Sequence, residues 1–476
     1  MSSTPPPQSA SWAQLLKGRN ALRSIALAGG VGLHAINVYI VTTILPTVIA
    51  DIGGLAFYAW STTLFVVTSI IGSTLSAQLL ERLGARRAFL LALLVFAAGS
   101  ALCAAAPSMT VLLAGRSVQG FGGGILFALS YALIRLVFDE TLWPRAMAMV
   151  SGMWGVATLC GPAIGGVFAE LGHWRWAFWS LLPVVALLAL IVIQQLDSTV
   201  VNPAARSRPP YGLIACLVVS VLVVSTASLS SQLLWNLLGM GAGLAIAVLI
   251  ARLDRNPERR LLPTGAYSLG TRLGVLYGMM CLLITAMTTE IFVPYFLQQI
   301  HGLGPLAAGY MTAAMAAGWT LGALYGAGRT GESAERLMRA GPAVIVAAML
   351  ALALTTPQAN WLHSTAGVAS YCLALAGVGL GIGLGWPHLL ARVLSAARPG
   401  EENLASASIT TVQLYATALA AALAGLVSNG AGLVDPGGVV GAQHAATWLF
   451  GVFALAPVLT LLLVWRITGT PTKSLA

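Results

Sequence analysis

The sequence predicts an all-α polytopic membrane protein of fourteen spanning helices, arranged as six, two and six. Three observations carry this. Of the 476 residues 58% are hydrophobic and only 8% charged, where a soluble chain has about 25% charged. The apolar residues fall in runs near the ~20 residues a helix needs to cross a bilayer. Two polar linkers, "DSTVVNPAARSRPP" and "DRNPERRLLPTG", divide those runs.

The first bundle, residues 1–196, holds runs near 25–48, 57–80, 88–106, 110–134, 147–168 and 177–196. Backbone inside a bilayer must satisfy its own hydrogen bonds, so each run reads as a helix. Upstream, "MSSTPPPQSASWAQLLKGRN" has neither the apolar core nor the cleavage site of a removable signal. Residues 197–262 form a linker with two extra spans near 211–230 and 234–252, joined by a tight turn at Ser230–Gln232. The second bundle, 263–476, has runs near 274–297, 305–327, 340–357, 366–389, 404–427 and 444–466. A faint echo links the halves: "ILPTVIADIGG" and "FVPYFLQQIHG" both follow Pro with a Gly-containing loop, as parallel repeats do in transporters.

An even number of crossings puts both termini on one side. With that side cytoplasmic, every one of the 24 basic residues except Arg116 and Arg175 falls at the inner face, as the positive-inside rule requires. A multi-pass protein of the inner (plasma) membrane is expected. The net charge of +10 then reflects orientation and attraction to anionic lipid, not a nucleic-acid partner. The five cysteines lie apart within spans and read as small apolar residues. There is no metal-ligand spacing, and "GRTGES" lacks the Lys of a phosphate loop. No enzyme activity, metal or cofactor is expected, and the protein is expected to be a monomer.

Between spans two and three stands "AQLLERLGARR". Gly84 allows the sharp turn, and Arg82, Arg86 and Arg87 suit a helix C-terminus. Anchoring explains the arginines but not Glu81 beside them. Span four carries "GRSVQGFGGGILF". Arg116 lies about 9 Å from the outer end: it either snorkels to the interface or serves the interior, where the following glycines admit a close neighbour. In span five, Gly161, Pro162, Gly165 and Gly166 make a bent, closely packed helix, suited to simple packing and to a gate. In span twelve Gly377, Gly381 and Gly385 form one smooth face.

Glu290, in "ITAMTTEIFVPYF", is alone among the fourteen acids in lying within a span, about 10 Å from its outer end. An intramembrane acid is a functional hypothesis by default. It either exchanges protons as access alternates, or is permanently paired with Arg116 or permanently neutral.

The loop 77–87, the Arg motif at 116–124, the Gly-Pro motif at 155–166 and "WRWAFW" together resemble the major facilitator superfamily, in that order and spacing. "FVPYFLQQIHGLGPLAAGY" and "TTVQLYATALAAAL" are similar to its fourteen-span drug:proton antiporter subgroup. The resemblance implies two six-helix bundles plus two linker helices. It also implies proton-coupled efflux of small hydrophobic or cationic compounds by alternating access. The alternative is proton-coupled import of an organic anion, drawn by Arg116, or of another small metabolite. Small-molecule substrate, protons and the lipid bilayer are the implied partners. One departure stands out: Asn37 occupies the subgroup's span-one Asp position, and His34, one turn earlier, can titrate in its place or be a structural residue. Family packing, carried over, lines the cavity with Asn37, Phe127, Tyr131, Trp154, Glu290, Tyr310, Trp319, Trp386, His388 and Gln413. A cytoplasmic gate is expected in which the basic turn meets Glu401 or Glu402.

Overall fold

Every regular element among the described residues is helical. The structure, a computed structural model, describes residues 12–197, 210–230, 232–254 and 260–468. The linker 197–262 is therefore described in part, and Arg206, Arg208, Arg255, Arg259 and Lys473, used above for orientation, lie outside the described residues. Besides the short helices Trp12–Leu15 and Arg175–Trp179, the helices are α1 (Gly18–Ile52), α2 (Trp60–Ala104), α3 (Met109–Val137), α4 (Trp143–Glu170), α5 (Leu181–Gln195), α6 (Tyr211–Ala227), α7 (Leu233–Leu253), α8 (Arg272–Thr288), α9 (Val293–Gln299), α10 (Pro305–Ala327), α11 (Gly331–Thr355), α12 (Thr365–Ala396), α13 (Glu402–Gly430), α14 (Gly438–Phe453) and α15 (Leu455–Thr468). Among the described residues, eleven helical segments are long and apolar enough to cross a membrane, and Tyr211–Ala227 is a shorter apolar helix.

Two of these elements are broken where the sequence dictates it. Within α2, Gly84 has φ 75° and ψ 170°, a backbone region that glycine enters freely and other residues rarely do. The long α2 is thus two arms meeting at the basic turn, as the sequence predicts. The run 274–297, expected to be continuous, is interrupted instead. It passes from α8 through the 3-10 turn Thr289–Ile291 into α9, which has Pro294 in its first turn. Proline has no N–H to offer the carbonyl four residues back, and its ring crowds that carbonyl. That residue is Glu290, so the intramembrane acid sits on the break.

Glycines set the closest approaches. In α3, Gly120 and Gly124 lie against the first arm of α2, and Gly122 against the second. A Cβ at Gly124 would stand 2.2 Å from the Ser69 carbonyl oxygen, so this wedge admits no side chain. In the C-terminal set Gly379 and Gly383 do the same against α10, with a Cβ at Gly379 only 1.7 Å from the Met315 oxygen. The face of Gly377 and Gly381 turns the other way, onto α11.

One corner of the N-terminal set is fixed by charge. Arg175 donates to Asp51 at 2.7 Å and to the Ala106 carbonyl at 3.0 Å, and the Trp174 indole donates to Asp51 at 3.0 Å. These contacts join the loop ends of α1, α2 and α4. At the opposite end Arg86 donates to the carbonyl of Leu196 at 2.6 Å, tying the basic turn to the end of α5. The hairpin α6–α7 packs on α13, with Ser220 and Tyr415 hydroxyls 3.0 Å apart, and α6 also touches α2.

Candidate functional site

The N-terminal and C-terminal helix sets meet at the end that carries Asp51. Gly166 of α4 packs on Leu306 of α10, where an added Cβ would lie 2.6 Å from the Leu306 Cα. Gly309 packs on Thr43 and Pro162. The Tyr310 hydroxyl donates to the Leu159 carbonyl at 3.2 Å, and Glu170 accepts from the Leu306 N–H at 3.3 Å. Asn429 of α13 donates at 3.0 Å both to Ala56 and to Ser228, joining the C-terminal set to the N-terminal set and to the hairpin. Tyr58 stacks on Phe292 with ring centroids 4.7 Å apart. None of these contacts approaches the end carrying Glu81–Arg87.

Glu290 lies directly behind that closed layer, two residues before Phe292. It is half-buried, and its Oε2 is buried with no hydrogen-bond partner among the described residues. No ion pair among the described residues reaches it. The permanent pairing with Arg116 considered from the sequence is therefore absent in this conformation. An unpaired carboxylate in such a wall is costly as an anion, and a proton or a cation removes the cost. Buried Tyr39 of α1, which packs on Gly161 of α4, was not among the residues singled out from the sequence. Its signal there is weak: one phenol in a β-branched stretch.

Arg116 is buried at 2% exposure. It donates to Gln119 at 2.5 Å and to the Ser61 carbonyl at 3.3 Å, and its guanidinium lies 4.1 Å from the centroid of Phe65. Gln119 in turn donates to Ser100 at 2.8 Å. All these partners are neutral and belong to α2 and α3. The side chain does not snorkel; it ties both arms of α2 to α3.

His34 sits in an aromatic box, with ring centroids 5.1 Å from Phe65, 5.4 Å from Phe127 and 6.2 Å from Trp154. Among the described residues its Nδ1 is buried without a hydrogen-bond partner, and so are both amide atoms of fully buried Asn37. Phe127 meets Tyr131 at 5.3 Å, and the Tyr131 hydroxyl lies 3.1 Å from Ser151. The structure thus brings Phe127, Tyr131, Trp154 and His34 together on one wall. In the other set Trp319 and Trp386 meet edge to face at 5.0 Å. His388 and Gln413 are half-buried, and Tyr310 belongs to the closed layer.

The gating residues separate into two groups. Gly161 and Gly165 pack on α1, at Tyr39 and Ile40, and Gly166 on α10, so the Gly-Pro stretch joins α4 to both neighbours at the closed end. At the other end Arg82 and Arg87 are exposed and Glu81 is half-buried. Glu401 accepts from Arg260 at 3.1 Å and from the Thr264 N–H at 2.9 Å, and Glu402 accepts from the Gly400 N–H at 2.9 Å. Neither acid is paired with Arg82 in this conformation.

Comparison with known proteins gives a consistent result. The family model described as "Major Facilitator Superfamily" matches residues 27–421. A Mycobacterium tuberculosis (strain H37Rv) protein named "Probable multidrug-efflux transporter" is 39% identical over 460 residues, covering 95% of this chain and 96% of its own. A Bacillus subtilis (strain 168) protein named "Multidrug resistance protein 3" is 26% identical over 346 residues, covering 70% and 66%. Among solved structures, a D-xylose-proton symporter superposes with a TM-score of 0.64 at 15% identity, covering 95% of this chain and 98% of that one. At that identity the likeness concerns the fold.

Proposed function

The chain belongs to the major facilitator superfamily, and from that premise we propose that it exports small hydrophobic or cationic compounds in exchange for protons. The names of the similar proteins support efflux of drugs. The observation that carries proton coupling is Glu290: an intramembrane carboxylate, without an ion pair among the described residues, on a helix break at the junction of the two sets. In this reading the chain crosses an inner (plasma) membrane fourteen times with both termini cytoplasmic. It works as a monomer, in units 1–196, 197–262 and 263–476.

With that orientation the closed layer faces outward and the described conformation is inward-facing. A substrate enters from the cytoplasmic end and meets the wall of Phe127, Tyr131 and Trp154, whose π faces attract cations. The proton and the cationic substrate compete for Glu290. Proton release to the cytoplasm leaves a carboxylate that the substrate's charge can satisfy. The neutralised site then tolerates closure behind it and opening at the Glu170 and Asn429 contacts. Outside, a proton displaces the substrate, and the protonated carboxyl returns. Binding shifts the balance between two conformations only as far as it favours one of them. Arg116, held by neutral partners within its own helix set, offers nothing to an entering anion, so no observation favours the import reading.

The test is transport by purified protein in liposomes. Glu290→Gln keeps size and hydrogen bonding but cannot ionise. It should fold, lose uphill movement of a cationic dye driven by a pH gradient, and keep dye-for-dye exchange. A stable Glu290→Gln protein that still drives uphill transport would sink the reading.

A further inference from the structure

A cavity of about 260 Å³ lies away from the junction of the two sets. Its walls come from five stretches: Leu217 of α6, Ala247 and Ile250 of α7, Leu261 and Leu269 of the segment that leads into α8, Gly278 of α8, and Tyr415 of α13. The extra hairpin is what completes it. The segment that leads into α8 is pinned around it by two acids. Asp254 accepts from the N–H groups of Leu261 and Leu262 at 2.9 and 3.0 Å and from the Tyr267 hydroxyl at 2.8 Å. Glu401 holds Thr264.

The chemistry of the walls selects the guest. The three tyrosine hydroxyls near it already have partners: Tyr267 with Asp254, Tyr415 with Ser220, and Tyr277 with Ser408. Thr411 also lines the space, its hydroxyl turned to the Ala407 carbonyl at 3.5 Å, and the remaining walls are apolar. An apolar cavity of ~150 Å³ already stays dry and takes a hydrocarbon guest, and this one is larger. Its mouth is marked by Tyr267 and Leu269, 40% and 53% exposed. The exposed cations Arg252 and Arg272 flank it in sequence, Arg252 on the last turn of α7 and Arg272 at the start of α8. Basic side chains of this kind attract anionic headgroups.

The geometry points to a lipid site: one acyl chain of an anionic phospholipid enters between the hairpin and the C-terminal set, with its headgroup beside Arg272 and Arg252. The lipid fills the seam by which the two extra helices are attached. This holds independently of proton coupling.

The experiment titrates the purified full chain in detergent with dioleoyl phosphatidylglycerol, and separately with dioleoyl phosphatidylcholine and oleate, read by native mass spectrometry. One tightly retained phosphatidylglycerol per chain is expected. Ala247→Phe and Gly278→Leu, which fill the cavity from opposite walls, should each lose it without lowering the melting temperature in lipid-free detergent. Arg252→Gln and Arg272→Gln should each weaken phosphatidylglycerol roughly five-fold and leave phosphatidylcholine unchanged. Retention unchanged in both filled variants overturns the site. Equal binding of the two phospholipids, or oleate binding as tightly, overturns the headgroup assignment. Should a filled variant fail to fold, the arginine variants decide, since both lie outside the cavity: an unmoved lipid preference overturns the proposal.

Discussion

The carboxylate of Glu170, at the last residue of α4, accepts a hydrogen bond from the backbone N–H of Leu306 in the first turn of α10, at 3.3 Å. One helix set thus caps a helix of the other. The first N–H groups of a helix have no partner within it, and an anion there is favoured by the helix dipole. Opening this end of the molecule breaks the cap.

Glu170→Gln should therefore loosen the closed layer. A charge at a helix N-terminus is worth about 0.3–1 kcal/mol at the surface, a shift of roughly two- to five-fold in the open population. The readout is a cysteine at buried Ala308 in a cysteine-free background, labelled by an impermeant maleimide. Labelling should speed up by that factor. An unchanged rate would mean the contact contributes nothing to closure.

Much of this architecture was legible in the sequence, and the illegible part has a physical cause. Gly84 announced the break in α2 because its turn needs a backbone that only glycine adopts freely. Glu290 announced itself as the one acid in an apolar run, but its place on a helix break required reading Pro294 four residues on. Arg116 was visible, whereas its partners were not: Ser61 and Phe65 come from a span more than fifty residues away, and no local pattern encodes that approach. The same holds for Glu401. Its expected partner was Arg82, and the structure gives it Arg260, 141 residues away along the chain. Charge complementarity in a list of loops fixes the sign of a partner, not its identity.

Arg116 should matter first for folding. Arg116→Met removes the donors of Ser61 and Gln119, and each buried acceptor left without a partner costs roughly 1–3 kcal/mol. Lower melting temperature in detergent is expected, along with strong coupling to Gln119→Leu in a double-mutant cycle. Additive effects of the two substitutions would remove Arg116 from this network.

The linker junction at Glu401 should make stability depend on pH on the acid side. Burial of the Glu401 carboxyl pushes its pKa upward. The hydrogen bonds from the Thr264 hydroxyl and N–H, with the charges of Arg260 and Arg398, outweigh burial and hold it below the ordinary carboxylate value. A depressed pKa means that the folded state binds the proton less readily than the unfolded chain. The stabilisation is then fully present above the unfolded value of about 4.3 and is lost as pH falls through the lower folded value. Glu401→Gln has no proton to take up. Melting temperature in detergent, followed from pH 7 down to about 3, should show wild type above the variant at neutral pH and the gap closing on acidification. The substitution also removes the carboxylate that Arg260 and Thr264 share, so a matched Thr264→Val series separates the lost hydrogen bonds from the titration. If the gap between wild type and Glu401→Gln stays constant across that range, the carboxylate's charge does not hold the linker in place.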